Sequence, residues 1–202
     1  MKTLLIVDVQ NDFCPGGSLA VRDGDKIIPT INRLSTSGIY DLVIATQDWH
    51  PAKHISFASR YGIEAFTFNE EANQLTWPDH CIQGSTGAAL RPSLDQRPIQ
   101  YIIRKGLNID MDSYSAFLEN DKKTSTGLER LVPKDVELHV VGIATDVCVW
   151  NTVDDAYNLG YKNITVFSDA VAAVNSDAGM HTMHDMTAMG ITVCQSKEFL
   201  GS

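Results

Sequence analysis

The feature that most constrains this chain is a short apolar run that recurs six times. Residues 3–9 (TLLIVDV), 42–46 (LVIAT), 99–104 (IQYIIR), 136–143 (VELHVVGI), 163–167 (NITVF) and 191–194 (ITVC) all carry it. Runs that are nearly continuous rather than alternating suit strands covered on both faces, the condition of a parallel sheet. Helical segments fall between them. Residues 26–37 place Ile27, Ile28, Ile31 and Leu34 on one stripe, with Pro29 in the first turns. A second helix is expected from about Asp146 to Asn158, and a third from Ser176, read as its N-cap, to Met189. Gly38, Gly160 and Gly190 follow as stops. The expected architecture is α/β: one domain over residues 1–202, with an open, mostly parallel six-stranded sheet and helices on both faces.

One stretch breaks the alternation. Residues 47–98 join the second strand to the third without a strong helical pattern. Connections this long usually carry function. This one holds His50, His54 and His80, together with Trp49 and Trp77.

Charge and cysteine usage narrow the function classes. The 16 Lys and Arg against 25 Asp and Glu give a formal charge of -9, and no basic cluster appears, so a polyanion partner is not expected. Cys14, Cys81, Cys148 and Cys194 show no C-x-x-C spacing and are too few for a disulfide scaffold. The start MKTLLIV opens like a signal peptide, but Asp8 and Asp12 interrupt it. No stretch approaches the roughly 20 apolar residues of a membrane span. A cytoplasmic protein with reduced thiols and no membrane partner is expected; self-association into a homo-oligomer is left open.

Ligands of open parallel sheets bind at the carboxyl ends of the strands. There the first strand delivers Asp8, the second Asp48 with His50 and His54 close behind, the third Lys105, and the fourth the turn GIATDVC with Cys148. A thiol at a helix N-terminus is expected to have a lowered pKa. Asp8 suits a base for that thiol, and Lys105 a cation that orients the carboxylate. Each residue alone has an ordinary structural reading: a packing cysteine, a capping carboxylate, a solvated lysine. Asp48-x-His50-x-x-x-His54, followed by His80, is a donor set for zinc, manganese or iron. His139 falls in a strand. His181 and His184 share a helix face without a suitably placed carboxylate. Cys14, Cys81 and Cys194 read as packing residues. Phe13, Trp49, Trp77 and Tyr114 fall in loops at the same end, either as local core or as walls for a flat ring.

The runs LLIVDVQNDFCPGGSLAV, TQDWHPAKHISFA, TWPDHCIQGSTGA, RKG with DSYSAF, and GIATDVCVWNTVDDA resemble the bacterial nicotinamidases (pyrazinamidases) of the isochorismatase-like cysteine hydrolase superfamily. The resemblance runs from residue 3 to about residue 172. It implies a Rossmann-like fold and a triad of Asp8, Lys105 and Cys148. It implies one divalent transition metal ion per chain on Asp48, His50, His54 and His80, zinc first, with manganese or iron as alternatives. A cis peptide before Ala144 is also implied, with the Ala144 and Cys148 N–H groups forming an oxyanion hole. Phe13, Trp77 and Tyr114 would flank the substrate ring. The implied reaction hydrolyses nicotinamide to nicotinate and ammonia through a Cys148 thioester. Two other readings compete: a related hydrolase of carbamoyl compounds or of isochorismate, and a non-enzymatic metal-binding or thiol-redox protein.

Overall fold

Six strands lie side by side because each is apolar on both faces and so needs cover on both. The structure, a computed structural model, describes residues 1–200. In chain order the elements are β1 (Lys2–Val7), α1 (Ile28–Ser35), β2 (Leu42–Asp48), α2 (Ala58–Tyr61), β3 (Phe68–Asn69), β4 (Gln74–Leu75), β5 (Tyr101–Lys105), β6 (Glu137–Ile143), α3 (Trp150–Asn158), β7 (Asn163–Ala172), α4 (Ser176–Ala188), β8 (Thr192–Cys194) and α5 (Lys197–Leu200). The main sheet has the order β5-β2-β1-β6-β7-β8, and every pairing in it is parallel. Strand order therefore reverses between β1 and β6. That reversal opens a crevice at the strands' carboxyl ends, the place where doubly wound sheets bind ligands.

Alternate residues of the central strands feed two cores. Leu4 and Ile6 of β1 join Ile28, Ile31 and Leu34 of α1 on one face. Leu5 and Val7 join Val153 and Ala156 of α3 and Met186 of α4 on the other. Gly142 of β6 has φ 119°, and a Cβ there would lie 2.0 Å from the Val7 carbonyl oxygen. The absence of a side chain lets β6 pass close beside β1 where both deliver site residues.

Several expectations are corrected. Residues 99–104 were expected as a buried strand, but β5 is the sheet edge, with Tyr101 and Ile102 49 % and 46 % exposed. An apolar run alone does not distinguish edge from centre. The link from β5 to β6 has no crossover helix, only a short 3-10 turn at Leu128–Arg130. The helix expected from Asp146 starts as a π-helical turn, Thr145–Val149, and becomes regular at Trp150. Asn175 rather than Ser176 caps α4, accepting hydrogen bonds from the Asp177 and Ala178 N–H groups. Within residues 47–98 the only regular pieces are α2 and the small antiparallel β3–β4 pair. No helix among the described residues is long and apolar enough to cross a membrane.

Candidate active site

Four neighbouring strand ends build the site. Asp8 follows β1 with φ 49°, a turn of the backbone that aims its carboxylate into the crevice. Its Oδ1 accepts a 2.5 Å hydrogen bond from the Thr46 hydroxyl, whose oxygen accepts in turn from the Asp8 N–H at 3.1 Å. Its Oδ2 lies 2.9 Å from Lys105 Nζ as an ion pair, yet no aligned hydrogen bond satisfies it. Lys105 ends β5. Its ammonium also donates to Asp48 Oδ1 and to the Ser113 carbonyl at 2.9 Å, and sits 3.6 Å from Cys148 Sγ. Asp8, Asp48 and Cys148 bring carboxylate oxygens and thiol sulfur within 4.8 Å of one another. The structure thus brings together the three residues read as base, cation and nucleophile.

Electrostatics set their resting states. Burial raises the Asp8 carboxyl above its ordinary 3.8, against the pull of the Lys105 ammonium. Burial alone would depress Lys105, but the carboxylates of Asp48 and Asp8 hold it well above the ordinary lysine value. The expectation of a lowered thiol pKa is overturned. Burial pushes Cys148 well above 9.0, Lys105 pulls it down only in part, and Asp8 and Asp48 push it further up. Desolvation of a fully enclosed thiol outweighs a helix terminus. Burial therefore favours the thiol over the thiolate, with the Asp8 carboxylate within 4.8 Å of the sulfur.

The histidines divide. His50 Nδ1–H donates to the Gly106 carbonyl (3.1 Å) and His80 Nδ1–H to the Pro78 carbonyl (2.7 Å). That leaves both Nε2 atoms facing Asp48 Oδ2, 3.5 and 3.9 Å away. Imidazoles oriented through the far nitrogen are the usual arrangement of metal ligands. Gly106, at φ 63°, makes the close approach possible: a Cβ there would lie 2.4 Å from the His50 ring. Asp48, His50 and His80 form one donor group within 4.8 Å. His54 does not belong to it. Its Nδ1 pairs with the Ser56 hydroxyl (2.7 Å) and its Nε2 with the Met111 carbonyl (3.1 Å), so both nitrogens are engaged. Its ring stacks on His50 at 4.1 Å. Of the four residues expected from spacing, the structure gathers Asp48, His50 and His80 into one group and places His54 with His50 and Asp112 in a second. Three buried N and O donors, with the remaining directions open to a pocket, fit a catalytic divalent transition ion.

Two residues escaped the sequence reading. Asp112 lies within 4.8 Å of His50 and His54 and accepts from the Ser113 N–H and from Gln74. In the run IDMDSYS it looks like any solvated acid. Gln10 clamps β1 to β2: its amide donates to the Asp48 carbonyl and accepts from the Asp48 N–H, both at 2.8 Å. A buried glutamine closing an apolar strand was the available signal.

A narrow pocket opens over these groups. Phe13, Trp77 and Tyr114 line it with Asp48, His50, His80, Ala144 and Cys148. Trp77 Nε1 donates to the Tyr114 hydroxyl (3.2 Å), which fixes both rings. Trp49 is not among the lining residues; Arg104 stacks on it, 3.8 Å from its centroid. The Ile143–Ala144 peptide is cis, as expected. A larger groove, of about 970 Å³ around Asn11, Asp25 and Arg91, holds neither histidine nor cysteine. His181 and His184 are exposed on α4, away from any donor group. Cys14 and Cys81 are buried, Cys194 is half-buried, and burial raises the pKa of all three, as suits packing residues.

The isochorismatase domain family matches residues 2–198. The chain belongs to the isochorismatase family. The nicotinamidase of Escherichia coli K12 is 45% identical over 202 residues, covering 95% of this chain and 93% of that protein. The nicotinamidase/pyrazinamidase structure from Acinetobacter baumannii superposes with a TM-score of 0.91 at 43% identity, covering 98% of this chain and 97% of that one. A pyrazinamidase of Pyrococcus horikoshii, solved in complex with zinc, has a TM-score of 0.76 at 33% identity, covering 96% and 98%. This family member is thus a hydrolase that resembles nicotinamidases along nearly its whole length, with the single α/β domain and parallel sheet expected from the strand pattern.

Proposed function

We propose that the protein is a metal-dependent amidohydrolase converting nicotinamide to nicotinate and ammonia, with pyrazinamide as a second substrate. Nicotinate so formed re-enters pyridine nucleotide synthesis. The observation that carries this reading is the Lys105 ammonium, 2.9 Å from Asp8 Oδ2 and 3.6 Å from the sulfur of Cys148, which itself lines an aromatic pocket. A divalent ion on Asp48, His50 and His80, zinc before manganese or iron, would supply an acceptor for the lone pair of the substrate's ring nitrogen. Phe13, Trp77 and Tyr114 flank the ring and exclude water. Asp8 takes the Cys148 proton, and the sulfur attacks the carboxamide carbon. Lys105 stays charged throughout and stabilises the thiolate as it forms. The Ala144 and Cys148 N–H groups hold the oxyanion, a contribution of about 3–4 kcal/mol per donor. Asp8 returns the proton to departing ammonia, and water hydrolyses the Cys148 thioester. Covalent catalysis divides the expulsion of a poor leaving group into two easier steps.

The test is ammonia release from three amides under one metal condition. Nicotinamide and pyrazinamide place a ring nitrogen meta to the carboxamide; benzamide has none. The expected kcat/KM for benzamide is lower by about 10²- to 10³-fold. Equal turnover of benzamide would separate the metal group from ring recognition. Peroxide titration of the thiol, with no amidase activity, would favour a redox protein instead.

A further inference from the structure

One wall of the substrate pocket comes from a segment that no catalytic group occupies. Val174 follows β7 and lines the pocket on one side and an outer cleft of about 670 Å³ on the other. Leu19 and Val21 line the same pocket but are packed into the core, 9 % and 1 % exposed, whereas Val174 is 40 % exposed. Its side chain is a partition between the ring-binding space and an open cleft bearing Arg22 and Lys26.

The partition is tied to the nucleophile's own turn. Asp146, two residues before Cys148, accepts from the Val174 N–H through Oδ1 and from the Asn175 N–H through Oδ2, both at 2.9 Å. Bonds from two consecutive backbone N–H groups to one carboxylate are charge-assisted and fix orientation as well as distance. From the outer side α4 closes on the same segment. A Cβ at Gly179 would lie 2.5 Å from the Ala173 Cβ, so only glycine allows the helix this close. The segment is held from inside by Asp146 and from outside by α4.

We propose that Val174 is a specificity-determining residue, limiting the pocket to amides without bulk on the ring edge that meets it, and that Asp146 is its positioning residue. The inference rests on the amidase reading above. A ring substituent that passes Val174 enters the outer cleft, which has room for it. The methyl groups of Val174 are what stops it.

The experiment measures kcat and KM by ammonia release for nicotinamide and for a ring-methylated nicotinamide. It compares the wild type, Val174→Ala, Asp146→Ala and Asp146→Asn. Val174→Ala should raise the ratio of kcat/KM for the methylated over the parent amide about 10-fold. Asp146→Ala should raise the same ratio, increase KM, and speed hydrogen exchange at the Val174 and Asn175 amides. Asp146→Asn keeps one acceptor oxygen and should fall between. An unchanged ratio in Val174→Ala overturns the proposal. A loss of kcat in Asp146→Ala at an unchanged ratio would confine Asp146 to shaping the nucleophile turn and overturn its assigned role. If Asp146→Ala does not fold, Val174→Ala and Asp146→Asn still decide. A wild type that releases no ammonia from either amide would overturn the reaction itself, an outcome distinct from an unchanged ratio.

Discussion

The two ends of the sheet both bury polar groups, and they treat them differently. At the amino end His139 is fully enclosed. Its Nδ1 meets the Tyr40 hydroxyl at 2.9 Å, its Nε2 meets Glu137 at 3.1 Å, and the Phe167 and Phe199 rings pack against it. Both ring nitrogens of His139 are taken. At the carboxyl end Asp8 Oδ2 has no hydrogen bond, and the Nε2 atoms of His50 and His80 converge on Asp48 Oδ2 without reaching hydrogen-bond distance. Burial is the same in both places; saturation is not. A saturated cluster holds the fold together, whereas buried acceptors kept open are positioned for something that arrives. His54 sits beside His50 at the same end yet follows the first pattern, with both nitrogens engaged.

The comparison breaks most sharply at the thiol. Cys148→Ala should lower kcat by more than about 10³-fold, since the nucleophile has no substitute. The truncation removes one sulfur from a 6 % exposed site, so thermal unfolding and metal content should stay near wild type. Ammonia release and a melting curve on the same preparation check this. Retention of more than a few per cent of activity would end the covalent mechanism.

The histidines sharpen it next. His80→Ala should abolish stoichiometric binding of zinc by metal analysis after dialysis. His54→Gln should keep the ion, with affinity weaker by about 10- to 100-fold, the range for groups that support a ligand. If His54→Gln loses the ion as completely as His80→Ala, His54 is a donor after all.

The smallest effect on catalysis belongs to His139. His139→Gln should cost about 1–3 kcal/mol of stability by leaving Tyr40 and Glu137 poorly paired, with kcat within about twofold. Burial lowers the His139 pKa below 6.5, against the pull of Glu137. The unfolded chain then binds this proton more readily than the folded one. Stability supplied by the neutral ring is present above pH 6.5 and is lost as pH falls through the folded pKa. Denaturant titrations across that range should show a shallower acid decline in His139→Gln.

The strands were legible because parallel pairing demands uninterrupted apolar runs, and LLIV and LVIA have no other economical fate. The order of the strands was not, since Tyr101-Ile102-Ile103 is as apolar as a central strand while lying at the edge. Asp8, Lys105 and Cys148 could be found because each stands where such a run stops. Asp112 and Gln10 could not be found this way, because their importance lies in which distant backbone groups they meet. The thiol's protonation state was misread for a related reason. Sequence shows the helix beside Cys148 but not the degree to which the fold seals it from water. Spacing places the His54 ring beside His50 but does not show that its nitrogens meet Ser56 and Met111.

The reversal of strand order also governs when the site can exist. β1 pairs along one side with β2, some forty residues away, and along the other with β6, more than a hundred residues further down the chain. Contacts of such sequence separation form slowly, since loop closure must precede any gain from pairing. A chain growing from its N-terminus can assemble Asp48, His50 and His80 while the thiol is still missing. Turnover cannot begin until β6 docks on β1 and carries Cys148 to Asp8. Recovery of amidase activity during refolding would therefore time that one long-range event, and should lag behind any probe that reports secondary structure alone.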